Sequence, residues 1–272
     1  MAEDMAVETY KNLELQGNLK VRDPEGQSMS YTIIRQPKRG TVTIGPDGSF
    51  TYTPKKNKVG VDSFVYTATD PAGKVSREAT VTITILKPTD SQQYSDTQGA
   101  SCRFTAEWMR HSGIFAGENL AGNPCFYPQQ EVTRGEFVTM LVKSLEIPAE
   151  EDIALTGYTD EIPKWLQPYL TAAVRSGLTA GLPNQDVFGA DTVITGAEAA
   201  VMVHNALDLK TIAAEEAAVV EDAIPTWANT AMQTLEANNI FLSAEAMTRA
   251  QTADVLYQTV QLRNAAEDMF AE

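Results

Sequence analysis

The 272-residue sequence has no apolar run near the ~18 residues that a membrane-spanning helix requires. No membrane insertion is therefore expected. The opening "MAEDMAVETY" is acidic and lacks the apolar stretch of a signal peptide, which leaves two options: an intracellular protein, or an exported one whose signal has been removed. Histidine occurs only at His111 and His204, each expected to be a partly exposed helix residue outside any ligand set. There is no nucleophile elbow, P-loop or H-E-x-x-H motif. Carboxylates are too abundant to single out a glycosidase pair. No catalytic residue, metal or cofactor is expected, and the chain is read as a non-enzyme.

Basic residues become scarce after Pro88. Met1–Pro88 holds 12 Lys+Arg against 10 Asp+Glu, and the remainder holds 9 against 26. Phosphate neutralisation needs clustered cations, so no nucleic-acid partner is expected.

The texture changes near "LKPTDSQQYSD". Before it, "MSYTII", "GTVTI", "SFTYTP", "DSFVYTATD" and "ATVTITIL" alternate as strands. "DPEG" at Asp23 and "DPAG" at Asp70 are type I turn signals, and "PDGS" at Pro46 is a hairpin signal. Six or seven such strands indicate an antiparallel β-sandwich over residues 1–88. Beyond Ser91 helix signals take over, so residues 89–272 form a second, helical part.

That second part repeats. "YSDTQGASCRFTAEWMRHSGI", "YTDEIPKWLQPYLTAAVRSGL" and "VEDAIPTWANTAMQTLEANNI" align without a gap. Asp96, Asp160 and Asp222 share one column, and Gly113, Gly177 and Asn239 share another, suited to a left-handed residue past a helix end. Pro163 and Pro225 suit the first helical position. Trp165 and Trp227 share a column where the first copy has Ser101. After a loop, "VTRGEF", "ITGAEA" and "MTRAQT" each read as a capping box that opens a second helix. Thr133, Thr195 and Thr248 cap, and Glu136, Glu198 and Gln251 close the boxes. The copies span about 94–148, 158–210 and 220–262.

Helix chemistry explains the Thr and Glu of each box but not Arg134. A cation in the first turn opposes the positive end of the helix dipole. Arg249 occupies the same column, and the second copy has Gly196 there.

Two resemblances follow. "PKRGTVTIGPDGSFTYTPKKNKVGVDSFVYTATDPAGKVS" resembles the cadherin-like, Ig-like repeats of bacterial surface proteins, which implies an extracellular spacer or adhesion module. Asp23, Asp62 and Asp70 are either calcium ligands, as in some relatives, or turn-formers, and the turn reading is preferred. "YTD", "SGL", "VFGADTVITGAE" and "CFYPQQEVTRGE" resemble S-layer homology domains. That resemblance implies a pseudo-threefold unit of three repeats with the capped helices in a central bundle and grooves between neighbours. It also implies a secondary cell-wall polysaccharide bearing pyruvate ketals as ligand, and a place at the bacterial cell surface or S-layer.

A pyruvate ketal is a carboxylate, so Arg134 and Arg249 at helix starts with free N–H groups would complete anion pockets. The alternative is an ion pair of Arg134 with one of the many carboxylates, such as Glu131 or Glu136. Trp165 and Trp227 either stack on a sugar or fill the core. Asp96, Asp160 and Asp222 either contact the glycan or order the loop before the first helix. Gly196→Arg, restoring the family residue, is expected to leave folding intact. If the first repeat folds as its relatives do, Cys102 and Cys125 pair as a disulfide, the alternative being two buried thiols.

Three functions compete: a wall anchor with an Ig-like spacer; an S-layer lattice or adhesion component, capable of self-association, with degenerate wall binding; and the non-catalytic portion of a larger exported enzyme.

Overall fold

The structure, a computed structural model, describes residues 1–21, 28–89, 93–150, 157–184, 186–207 and 224–271. The chain divides into two compact units, Met1–Gln92 and Gln93–Glu272.

The first unit is a two-sheet sandwich. β1 (Met5–Tyr10), β7 (Ala79–Leu86), β6 (Gly60–Thr69) and β3 (Ser30–Arg35) form one sheet in that spatial order. β2 (Leu15–Asn18), β5 (Ser49–Pro54) and β4 (Gly40–Ile44) form the other. The five alternating runs all become strands. The expectation of a wholly antiparallel sandwich needs correction, because β1 pairs with β7 in parallel. In β7 the residues Ala79, Val81, Ile83 and Ile85 point inward, where they meet Phe50, Tyr52, Phe64 and Tyr66 in one core. Each large side chain so buried contributes roughly 1.5–3 kcal/mol.

The sequence motifs of this unit interlock. Asp62 accepts the N–H groups of Lys38 at 2.8 Å and Arg39 at 2.7 Å, and the Tyr52 hydroxyl at 2.8 Å. A Cβ on Gly40 would collide with the Tyr52 ring. Asp62 is thus a structural acceptor, not a metal ligand in waiting. Asp70 accepts the Lys74 N–H at 2.8 Å within its turn. Asp23 lies outside the described residues.

The second unit repeats helix, loop, capped helix. α1 (Arg103–His111) and α2 (Arg134–Ser144) belong to the first copy, α3 (Gln167–Arg175) and α4 (Gly196–Leu207) to the second, α5 (Asn229–Ala237) and α6 (Arg249–Ala271) to the third. Pro163 and Pro225 do not open the helices. Each precedes a turn, residues 164–166 and 226–228, and the helix begins after it. Gly113, Gly177 and Asn239 all have positive φ. The residue after each donates its N–H back into the last turn: Ile114 to Met109 O, Leu178 to Ala173 O and Ile240 to Leu235 O. That is the Schellman geometry. The unit is not purely helical, because the first loop carries a small hairpin, β8 (Glu118–Leu120) with β9 (Asn123–Cys125).

The copies are joined in a cycle. α2 packs on α3, α4 on α5, and α6 back on α1. The residues before the capping boxes close a ring of backbone hydrogen bonds: Ile194 N to Val132 O at 2.9 Å, Met247 N to Ile194 O at 3.0 Å and Val132 N to Met247 O at 3.0 Å. α2, α4 and α6 present their buried residues inward, including Phe137, Leu141, Met202, Val203 and Leu256.

Candidate functional site

All three capping boxes form. Thr133, Thr195 and Thr248 accept the N–H of Glu136, Glu198 and Gln251 at 3.3 Å, and those side chains return to the threonine N–H at 2.9, 3.0 and 2.8 Å. The helix starts are nevertheless not open to an anion. Arg134 N donates to Thr192 O and Gly135 N to Ala190 O; Arg249 N donates to Gln130 O and Ala250 N to Pro128 O; Gly196 N donates to Glu245 O. Each start is capped by the loop of the next repeat. This corrects the expectation of free N–H groups.

The arginines follow the same direction. Arg134 donates from Nη1 to Phe188 O and from Nη2 to Glu198 Oε1 at 2.6 Å, both in the second repeat. The ion-pair alternative is thus met, but by Glu198 of the next repeat rather than by Glu131 or Glu136. Arg249 donates from Nη1 to Phe126 O at 3.1 Å and Glu118 Oε1 at 3.0 Å, both in the first repeat. The Phe115 ring lies 4.8 Å from the Arg249 guanidinium carbon. Arg249 keeps 7% of its side chain exposed and Arg134 keeps 15%. Arg134 Nε is buried and finds no partner among the described residues.

The aspartates hold the other side of the same loops. Asp96 accepts the N–H groups of Phe126 at 2.9 Å and Tyr127 at 2.7 Å. Asp160 accepts those of Phe188 at 2.9 Å and Gly189 at 2.8 Å. Burial works to raise the Asp160 pKa, but the Gly189 and Phe188 N–H bonds outweigh it and hold the carboxyl below its ordinary value. The aspartates therefore order the second loop of the repeat, rather than capping its first helix. Phe126 stacks at 5.3 Å on Tyr94 and Phe188 at 5.3 Å on Tyr158, the aromatic of each aromatic-x-Asp start. Asp222 lies outside the described residues.

The third loop is built differently. Phe241 falls in the column of Phe126 and Phe188 but is 66% exposed, while they are buried. The arginine that would hold it is replaced by Gly196. A Cβ there would overlap the carbonyl oxygen of Ser243. The shortened loop "IFLSAEAMTRAQ" crosses where the side chain would stand, which overturns the expectation that Gly196→Arg leaves folding intact.

Trp165 and Trp227 lie in the turns before α3 and α5, and are 51% and 36% exposed. Core filling is therefore not their main role. The edge of Trp165 comes within 3.3 Å of where a Cβ on Gly135 would sit, so Trp165 stands over the start of α2, beside Arg134. Gly189 has positive φ, and its Cβ would stand 3.0 Å from Arg134 Nη1. One groove thus combines Trp165, Arg134 and the Phe188–Thr192 loop, and exposed Lys164 adjoins Trp165 in the chain. The sequence reading missed Lys164, Gly135 and Gly189. Gly135 and Gly189 follow from the close approach of two repeats, which no single repeat reveals. The first copy has exposed Ser101 at the tryptophan position.

Cys102 and Cys125 are free thiols, both buried, so the expected disulfide is not formed. Cys125 Sγ lies 3.4 Å from Ser95 Oγ, whereas Cys102 is the residue before α1. Burial pushes the Cys102 thiol up to about 11, with nearby Asp254 adding to the rise. His111 is more buried than expected, with 4% of its side chain exposed, and its Nε2 lies 3.7 Å from buried Glu107. No cluster able to hold a metal occurs among the described residues.

Comparison with known families gives two matches. The model of the bacterial cadherin-like domain matches residues 1–87, and that of the S-layer homology domain matches residues 157–200. No curated protein matches the chain. Among solved structures, the endo-fucoidan hydrolase MfFcnA4 of glycoside hydrolase family 107 is 17% identical with a TM-score of 0.27, covering 35% of this chain and 14% of the hydrolase. The SrpA adhesin of Streptococcus sanguinis is 14% identical with a TM-score of 0.24, covering 35% of this chain and 67% of the adhesin. The fibronectin(III)-like modules of Clostridium thermocellum CbhA are 16% identical with a TM-score of 0.21, covering 32% of this chain and 98% of those modules. No statement about the site rests on likenesses of that degree. The chain is a bacterial cadherin-like domain at residues 1–87 followed by a helical unit that carries an S-layer homology domain at residues 157–200.

Proposed function

We propose that the helical unit anchors the chain non-covalently to the bacterial cell wall by binding a pyruvylated secondary cell-wall polysaccharide. The cadherin-like unit serves as spacer or adhesion module, and no catalysis is assigned to either unit. The observation that carries the reading is the S-layer homology match over residues 157–200, which spans Asp160, Trp165, Phe188 and Glu198. Such a domain indicates anchoring to the cell wall and association with the cell surface. The three copies form a pseudo-threefold unit, a reading supported by the cyclic backbone bonds between Val132, Ile194 and Met247.

Within that unit the groove between the first and second repeats is the primary site. Trp165 offers a half-exposed ring to a sugar face. Because loop carbonyls occupy the helix-start N–H groups, the ketal carboxylate meets side-chain cations instead: Lys164, and the exposed edge of Arg134. Asp160 positions the groove wall. The groove at Arg249 lacks a tryptophan, and the one at Trp227 lacks an arginine, so these contribute less.

A second reading, a surface lattice or adhesion component with degenerate wall binding, is favoured by Gly196 and by exposed Phe241 in the third repeat. Co-sedimentation with isolated walls separates the two. The anchor pellets with intact walls and stays in solution after mild acid removes ketal pyruvate. Equal pelleting on stripped walls rejects pyruvate as the determinant, and no pelleting on either rejects anchoring.

A further inference from the structure

The cadherin-like unit carries a cleft of about 300 Å³ lined by Arg35, Lys38, Arg39 and Val61. Its cations converge from separate elements. The β4–β5 hairpin brings Lys38 and Arg39 beside Lys55 at its base, with Lys55 N bonded to Arg39 O at 2.7 Å and Lys55 Nζ to Lys38 O at 2.8 Å. Arg35 arrives from β3 through a bulge: Ile33 pairs with Tyr66 and Arg35 with Val65, so Ile34 is the extra residue. Without the bulge Arg35 would share the face of Ile33, which packs against the core. The bulge re-aims it.

Cations outnumber acids around the cleft, where Asp62 is the one carboxylate of the lining. From Arg35 to Val61 there are six Lys or Arg and one acid, Asp47, which lies at the far tip of the same hairpin. Asp62 borders the cleft, but both its oxygens are held by the Lys38 and Arg39 N–H groups and the Tyr52 hydroxyl. The exposed side chain of Val61 adds an apolar wall. A volume of this size lies at the small end of ligand sites, roughly 300–1,000 Å³, and suits one charged segment of a longer chain.

We propose that this cleft binds the carboxylate or phosphate groups of an acidic polysaccharide, giving the cadherin-like unit a glycan contact of its own. The ligand must be anionic because the converging side chains are cations. It is a polymer because one shallow cleft gives useful affinity only when many charged segments are offered together.

The test is affinity electrophoresis of the full chain in gels containing polygalacturonate, which bears carboxylates, or glycerol-phosphate teichoic acid, which bears phosphates. Arg35→Ser/Lys38→Ser is the test variant. Lys74→Ser/Arg77→Ser makes the same charge change elsewhere on the unit and is the control. Near-ultraviolet circular dichroism confirms that both remain folded. The proposal expects wild type and control to be retarded by at least one polymer, with binding at least tenfold weaker for the test variant and a marked loss in 0.5 M salt. Which polymer retards the chain identifies the charged group. Retardation by neither polymer, or equal weakening of both variants, overturns the proposal. So does a test variant that loses only self-association in sedimentation velocity, since the cleft would then be an interface between copies. Retardation that is the same for the test variant as for wild type also overturns the proposal, since the binding then resides elsewhere on the chain, as at the groove by Trp165.

Discussion

Arg134 Nη2 bonds Glu198 Oε1 at 2.6 Å, while Oε2 of the same carboxylate accepts the Thr195 N–H at 3.0 Å. One glutamate thus closes the capping box of its own helix and receives the arginine of the neighbouring repeat. This explains an Arg in a first turn, where the helix dipole disfavours it. The cation leaves its own helix and bonds the next repeat at two points.

Arg134→Ala strips Glu198 of its charged partner and Phe188 O of its donor. The loss is expected to destabilise the helical unit by about 2–4 kcal/mol. Arg134→Lys should recover little, because one ammonium cannot span both acceptors as a guanidinium does. Urea unfolding followed by helical circular dichroism reads this. An unchanged midpoint for Arg134→Ala would show that the inter-repeat bond is not structural.

Gly196→Ala should be harmful despite alanine's better helix propensity. The gain from propensity is about 1 kcal/mol, but the added Cβ meets the Ser243 carbonyl oxygen. The third-repeat loop must shift, so thermal unfolding of the helical unit should begin at lower temperature. A stabilised Gly196→Ala protein would refute the close crossing. Gly196→Arg should be worse still.

Asp254 lies on α6 and accepts the Thr105 hydroxyl at 2.5 Å across the α1–α6 contact. Burial pushes its carboxyl above the ordinary value, and the Thr105 bond only partly opposes this. A folded-state pKa raised above the unfolded one favours the folded protein at low pH, and the benefit is lost as pH rises through the folded value. Asp254→Asn removes the buried charge and keeps an oxygen acceptor. It should therefore raise the unfolding temperature at pH 7 and change it little near pH 3. Equal melting of variant and wild type at both values would show that Asp254 ionises at no cost.

The elements were legible where the deciding forces are local. Alternation located β3 to β7, the three boxes located α2, α4 and α6, and Gly113, Gly177 and Asn239 located the helix ends. β1 and β2 were not picked out by such patterning, and β1 owes its parallel place to pairing with β7 some 76 residues away. The site was half legible. Column comparison singled out Arg134, Trp165 and Asp160, but their partners lie in the next repeat or in the other loop of the same repeat. Single-copy patterns do not encode a bond from Arg134 to residues 54 and 64 positions on. One signal was present: the copy that follows Gly196 is also the copy with the shortened loop. The two departures meet at one place, since the shortened loop crosses where an arginine side chain at position 196 would stand. The cysteines misled because the pairing followed from the resemblance alone, whereas Cys125 Sγ faces Ser95 Oγ and Cys102, the residue before α1, stays a buried thiol.

The central claim is that the groove under Trp165 holds the wall polysaccharide. The most direct measurement is the affinity of Trp165→Ala for isolated walls, with thermal unfolding recorded on the same sample. Trp165 is half exposed, so the variant should melt as wild type does. Its binding should fall by about thirtyfold, the equivalent of a ~2 kcal/mol anchor residue, while Trp227→Ala should lose much less. Wild-type affinity in a folded Trp165→Ala protein would contradict the assignment.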